Sequence, residues 1–276
     1  MKIIFSRKGF DSASGGCPSP IVDGRPLSMP IPAFKSPSPT RYCDLSGPYG
    51  DFIADLARRH HTDEKCHLDP DITRDCLPRL EGWRGTLGQS SAAQSHLNNQ
   101  RVEPGDLFLF FGLFQPVEKD GGWRFTGKPE HRIWGWLQIG EIIDLGPDGS
   151  HAVTTYPWLK DHPHTRPEQE TKNALYIASD ELSLPLAGLS MPGSGVLKRG
   201  YRLTEEGANV SRWRVPDWLH LRPGGVGMTY HRQHRWNDDG TVTTVGRGQE
   251  FVATLRQGEE LAAVKWIAAL LNEAGG

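Results

Sequence analysis

The densest apolar run, Gly105-Asp106-Leu107-Phe108-Leu109-Phe110-Phe111, has no polar alternation after Asp106. A second run, Ile133-Trp134-Gly135-Trp136-Leu137-Gln138-Ile139-Gly140-Glu141-Ile142-Ile143, is interrupted only by glycines and isolated polar residues. Strands apolar on both faces are covered on both sides, so these two segments are expected to pair in the core of a sheet. Gly121-Gly122 and Gly127-Lys128-Pro129 supply turns between them. Gly135 and Gly140 predict bulges that curl the sheet toward a barrel.

Weaker patterns surround this centre. Lys2 to Phe5 reads as a buried first strand that opens into the polar cluster Ser6 to Asp11. Residues 12–48 are rich in Gly, Ser and Pro but carry the apolar anchors Ile21, Leu27, Met29, Ile31 and Phe34, which predicts an extended, packed loop. Phe52, Ile53, Leu56 and Ala57 repeat at helical spacing between Asp51 and His61, and a second helix is expected near Ser90 to Gln100. Short strands are expected at Leu175 to Ala178, Gly227 to His231 and Thr241 to Val245. Leu261, Val264, Ile267, Ala268 and Leu271 define one face of a packing helix ended by Gly275. The fold class is therefore α+β, a central curled, mainly antiparallel sheet or barrel with peripheral helices. A single domain over 1–276 is expected, the alternative being a ligand-loop region 1–100 followed by a β-rich region 101–276.

Composition narrows the function classes. A chain of 276 residues can bury a large core without disulfides or metal. Its formal charge of −2 gives no bulk attraction to nucleic acid, so any such contact must come from a local basic patch. The longest apolar run is far shorter than the ~20 residues of a membrane helix, and the charges at Lys2, Arg7 and Lys8 interrupt any secretory core. No membrane partner and a cytoplasmic location are expected. Cys17, Cys43, Cys66 and Cys76 contain no C-x-x-C pair and are expected to stay thiols.

Five polar clusters are candidates for chemistry. Ser6-Arg7-Lys8-Gly9-Phe10-Asp11, continued by Ser14 to Pro20, combines two cations, a carboxylate, hydroxyls and flexible glycine, the groups that hold a phosphate and a ribose. It lacks the Walker order, and Asp11 could equally cap a turn. In Cys66-His67-Leu68-Asp69-Pro70-Asp71 the alternating His67, Asp69 and Asp71 could bind a divalent metal or supply a general base, or simply start a helix. Asp161-His162-Pro163-His164 is a possible metal pair, but with no nearby carboxylate or Cys at a familiar ligand spacing it reads as loop histidines, and no metal ligands are assigned. Trp134, Trp136, Arg212-Trp213-Arg214, Trp218, Tyr230, His231 and Trp236 form an aromatic and basic set, of which one or two could stack a base. Arg247-Gly248-Gln249-Glu250 enters an apolar strand or helix and could be a site or a surface ion pair.

In the same order along the chain, several of these blocks resemble the nucleotide modification associated domain 3 family. They are Phe5 to Asp11, Gly15 to Ile21, Ser28-Met29-Pro30-Ile31-Pro32, His67 to Asp71, Gly88-Gln89, Gly105 to Gly112, Asn173-Ala174-Leu175-Tyr176, Ser211-Arg212-Trp213 and Arg247 to Val252. Val102-Glu103-Pro104-Gly105-Asp106-Leu107 and the glycine-broken strand after it also resemble the EVE and PUA-like binders of modified bases. The first resemblance implies DNA base hypermodification, and the second a PUA-like barrel.

The resemblance makes one assembled site more plausible than scattered clusters. Asp11, His67 and Asp69 are then the expected catalytic groups. Ser6, Arg7, Lys8, Ser19, Gln89, Arg212 and Gln249 would bind nucleotide or phosphate, and Trp136 and Trp213 would stack the base. The leading reading is a transferase acting on a nucleotide or DNA base, with other proteins of a DNA-modification or phage-defence system as possible partners and the cofactor unknown. The alternative is a non-catalytic PUA-like module that reads a modified base. In either case the loop of residues 5–20 should face His67 to Asp71 across one pocket.

Overall fold

The computed structural model describes residues 1–33, 38–166, 170–184, 190–246, 250–256 and 260–275. Phe34, Arg247, Gly248 and Gln249 therefore lie outside the described residues.

One main sheet organises the chain. Its principal strands are β1 (Lys2–Arg7), β2 (Ser19–Val22), β3 (Thr86–Ser90), β4 (Leu107–Lys119), β5 (Glu130–Asp144), β6 (Asn173–Ala178), β7 (Ser194–Arg202) and β8 (Glu250–Thr254). The order across the sheet is β8-β1-β4-β5-β6-β3, with β7 also paired to β5 and β2 to β4. Pairing is antiparallel except where β4 meets β1 and β2. Four helices, α1 (Tyr49–Leu56), α2 (Ser91–Asn99), α3 (Ser150–Thr155) and α4 (Glu260–Gly275), lie around it among the described residues. None is long and apolar enough to cross a membrane.

The two long apolar segments do pair, as β4 with β5. Their register slips between Phe110↔Gly135 and Phe111↔Ile133, and that of β5 with β6 slips between Ile177↔Glu141 and Ala178↔Ile139. Both predicted bulges thus fall at their glycines. At Gly140 a side chain would collide with the backbone of Ser179, at 2.8 Å from a Cβ, so only glycine admits this approach. The slip at Gly135 breaks the two-residue period, so Ile133 and Trp136 share one face while Trp134 and Leu137 share the other.

These bulges curl the sheet. Ile4, Phe108, Phe110, Trp134, Ile139, Tyr176, Leu87 and Val252 form one cluster that draws on every strand of the order, including both edges. That is the concave face. Ile3, Phe5, Leu109, Phe111, Ile133 and Trp136 point the other way and are covered by α4 and by the two-stranded ribbon Arg212–Arg214/Thr241–Thr243.

The curl does not close into a barrel. No backbone pairs join β3 to β8; instead the edges meet through side chains, Gln89 Nε2 donating to Glu250 Oε1 at 2.5 Å. Each edge is capped locally, β3 by Asp71, which exchanges backbone hydrogen bonds with Thr86, and β8 by Thr229, whose N–H donates to Val252. The PUA-like barrel is therefore not what the sheet forms.

Other expectations shift in detail. Gly227 to His231 is a turn rather than a strand, because Gly227 and Tyr230 adopt φ +70° and +66°, outside the extended region. On α4, Leu261 is exposed and Leu270 takes its place in the core.

Candidate functional site

The seam between the two sheet edges collects the charged groups. β1 and β8 align Ser6 with Glu250, and alternation turns Glu250 to the concave side together with Val252. On β3, Gln89 follows Leu87 by two residues and points the same way, which brings it to Glu250. Ser6 Oγ also donates to Glu250 Oε1, at 3.1 Å. The second carboxylate oxygen, Oε2, is buried with no hydrogen-bond partner.

Asp69 arrives from the segment that caps β3. Its Oδ1 accepts the Gly88 N–H at 2.6 Å. Three histidine rings surround it: His162 Nε2 lies 3.6 Å from Oδ1, and His67 Nε2 and His164 Nε2 each lie 3.9 Å from Oδ2. Gly88 is required here, since a Cβ would sit 2.2 Å from the His164 ring. Lys8, the first residue past β1, places its ammonium between the carboxylates, 3.7 Å from Asp69 and 3.8 Å from Glu250. Sequence separations of 161 residues for Gln89 and Glu250 and 19 for Asp69 and Gly88 show that the site is assembled by the fold.

Electrostatics separate the two carboxyls. Burial alone would raise Asp69, but its charged surroundings, Lys8 foremost, outweigh it and hold the group below the usual carboxylate range. Glu250 moves the other way: burial raises it, against the smaller opposing effects of Lys8, Ser6 and Gln89. Burial pushes the His67 imidazole down to about 3, with Asp69 opposing, and lowers His164 as well. One carboxylate is thus kept ionised, its neighbour favours the proton, and two imidazoles are kept neutral; divergence of this kind marks out acid and base roles.

Two cavities reach the carboxylates of this cluster. The larger, about 680 Å³, is walled chiefly by the loop from Val22 to Pro30 and by residues 45–49, and touches the cluster only at Asp69. The smaller, about 370 Å³, has Gln89 and Glu250 among its lining residues, with Ser91, Ala92, His96 and Tyr230 around them. Tyr230 is 50% exposed and its ring lies 4.5 Å from that of His96. Ser91 and Tyr230 both hold positive φ, +53° and +66°, a costly backbone for residues with side chains. The first turn of α2 lacks a side-chain cap, leaving amide donors at the cavity.

Of the residues singled out from sequence, Ser6, Lys8, His67, Asp69 and Gln89 belong to this cluster. Asp11 does not: its Oδ1 accepts the N–H groups of Ala13 and Ser14, closing a local turn. Arg7 donates to the carbonyls of Val245 and Gly246 and lies over the Phe111 ring. Ser19 accepts the Met29 N–H, and Arg212 pairs with Asp239 on the ribbon. Trp136 and Trp213 are core residues whose indole N–H groups donate to Pro192 O and His131 Nδ1, which leaves no open face for a base. Gln249 lies outside the described residues.

His162, His164, Asn173, His96 and Glu250 complete the site and were not assigned roles from sequence. Each lay within a noticed motif or beside one, but no local spacing links Asp69 to histidines more than ninety residues later.

The open seam of the curled sheet thus gathers two buried carboxyl groups, three histidines and an ammonium. The chain belongs to the nucleotide modification associated domain 3 family, whose model matches residues 2–254. No curated protein and no solved structure matches the chain.

Proposed function

We propose that this chain is a base-modifying enzyme in which a nucleotide or flipped-out DNA base enters the cavity between Tyr230, His96 and Glu250, and that Glu250, with Lys8 behind it, handles the proton. The carrying observation is that Glu250, a residue lining the cavity, keeps its second carboxylate oxygen buried without a protein partner. A buried carboxyl group left unsatisfied is costly, and a base edge offering an N–H or a ring nitrogen satisfies it. Tyr230 and His96 supply ring faces for stacking, and the uncapped start of α2 supplies amide donors for a phosphate. A base in duplex DNA must leave the stack to reach this depth. The family's association with nucleotide modification supports the substrate class.

The test uses the intact protein and its Glu250→Gln and Tyr230→Ala variants. Nucleosides from the DNA of expressing cells are compared by mass spectrometry, and nucleoside monophosphates and short oligonucleotides are titrated by calorimetry. The expected result is a modified nucleoside with the parent protein alone. Tyr230→Ala should weaken nucleotide binding by the ~1–3 kcal/mol of one stacked base. Identical nucleosides in all three samples, together with no binding of any nucleotide, would refute the reading.

A further inference from the structure

Beside the proposed base cavity, and independent of it, the hydrogen bonds around His164 create an electrostatic conflict. Asn173 fixes the ring's tautomer. Its Nδ2 donates to the carbonyls of His164 and Gly146, at 2.9 and 3.2 Å, so its Oδ1 is the acceptor that faces His164 Nδ1 at 2.7 Å. His164 therefore carries its proton on Nδ1 and turns the Nε2 lone pair toward Asp69 Oδ2. A lone pair and a carboxylate oxygen 3.9 Å apart, both buried, repel unless a cation lies between them.

His162 plays the opposite part. Its Nδ1 accepts the His164 backbone N–H, so its Nε2 bears the proton and aims it at Asp69 Oδ1. The Gly88 N–H holds that oxygen, with His162 Nε2 3.6 Å away and beyond hydrogen-bond reach, leaving Oδ2 for the side where His67 and His164 converge. His67 Nε2, the Asp69 carboxylate and His164 Nε2 have ligand atoms within 4.8 Å of one another. Small rotamer changes bring three such atoms onto one ion at the ~2.0–2.2 Å of metal–nitrogen and metal–oxygen bonds.

We infer that His67, Asp69 and His164 form a mononuclear site for a divalent first-row transition-metal ion, with Asn173 and His162 as positioning residues. Two imidazoles and one carboxylate select iron, manganese, cobalt or zinc over magnesium and calcium, which prefer all-oxygen shells, and three protein ligands leave coordination positions open. Asn173 is the hydrogen-bonded support that orients a ligating imidazole. Lys8 shares Asp69 but stays beyond hydrogen-bond distance of it, and its ammonium competes with the ion.

The test uses the full chain stripped with chelator and titrated with Co(II), read by visible d–d absorption and calorimetry, without any nucleotide. One equivalent should bind, be displaced by Zn(II), and resist a hundredfold excess of Mg(II). His164→Ala and Asp69→Asn should weaken Co(II) binding at least about 100-fold; Asp69→Asn keeps an acceptor for Gly88, and circular dichroism verifies its fold. Asn173→Ala should weaken it by about 10- to 100-fold. Lys8→Met should bind as tightly or more tightly, and His231→Ala, a buried histidine elsewhere, should bind unchanged. Absence of a saturable Co(II) spectrum, or a spectrum that survives His164→Ala, or displacement by equimolar Mg(II), would overturn the site.

Discussion

His131 on the convex face of the curled sheet and Glu250 at its seam are buried polar groups in opposite circumstances. On the convex face, His131 lies within the apolar layer under the ribbon, its Nδ1 accepting from Trp213 Nε1 at 2.9 Å and its backbone N–H donating to Thr204 Oγ1 at 2.8 Å. Packing encloses it on both sides, Phe111 and Trp213 meeting its ring edge-on. At the seam, by contrast, Glu250 and His162 retain buried polar atoms without a hydrogen bond, and Lys8 hovers between two carboxylates. Buried polar groups are ordinarily satisfied, so the open positions at the seam stand apart from the surroundings of His131. Convex-face changes should therefore cost stability and seam changes should cost function.

The largest expected effect is Trp213→Ala. It empties a fully buried site and strands His131, and should lower unfolding free energy by about 3–5 kcal/mol in urea titration. A loss below about 1 kcal/mol would break the contrast. Next comes the acid response of His131, whose imidazole burial pushes down to about 3, with Arg7 adding to the effect. The unfolded chain takes up a proton below its ordinary value near 6.5 while the folded chain refuses it, so this stability is whole above ~6.5 and declines as pH falls toward 3. His131→Gln, which keeps an acceptor for Trp213, should flatten the stability slope between pH 6 and 4; an unchanged slope would remove His131 from the account.

Gly88→Ala forces a methyl group into the His164 ring and should cost about 1–3 kcal/mol while displacing Asp69, read by thermal melting together with the Co(II) spectrum. The smallest stability effect should come from Glu250→Gln, which removes a buried acid and can keep the contacts to Ser6 and Gln89. Stability should stay within about 1 kcal/mol of the parent, or rise, while base modification disappears. Were Glu250→Gln to destabilise more than Trp213→Ala, the seam would be structural and the contrast inverted.

Local pattern carried the centre of the fold further than it carried the site. β4, β5 and their two glycine bulges are written in short runs of residues, because burial on both faces and the two-residue period act over a few positions. Gly227 to His231 misled for a related reason: its apolar and β-favouring residues fit a strand, but two positive φ values turn the chain. In the site, Lys8 stood out as a cation at a strand end, His67 and Asp69 by their alternation, and Gln89 only through the family resemblance. Asp11 stood out equally and serves its own turn, since a carboxylate two and three residues before free amides caps them whatever lies nearby. Trp136 and Trp213 looked like stacking residues, but an indole on a doubly covered sheet belongs to the core. His164 and Glu250 could be linked to Asp69 and Gln89 only through three-dimensional proximity. Composition at Asp161 to His164 offered no carboxylate at ligand spacing, because the carboxylate comes from the other side of β3.

A closed barrel opens only by unzipping a row of backbone hydrogen bonds. Here β3 and β8 touch through Gln89 and Glu250, a contact worth about 0.5–1.5 kcal/mol with the acid protonated, so the gap can widen while both strands keep their inner neighbours. Breathing along this line follows as a property of the architecture. In amide hydrogen exchange the first turn of α2 and the end of β3 should open on a faster clock than β4 and β5, giving a bulky substrate a way in that leaves the central ladder intact.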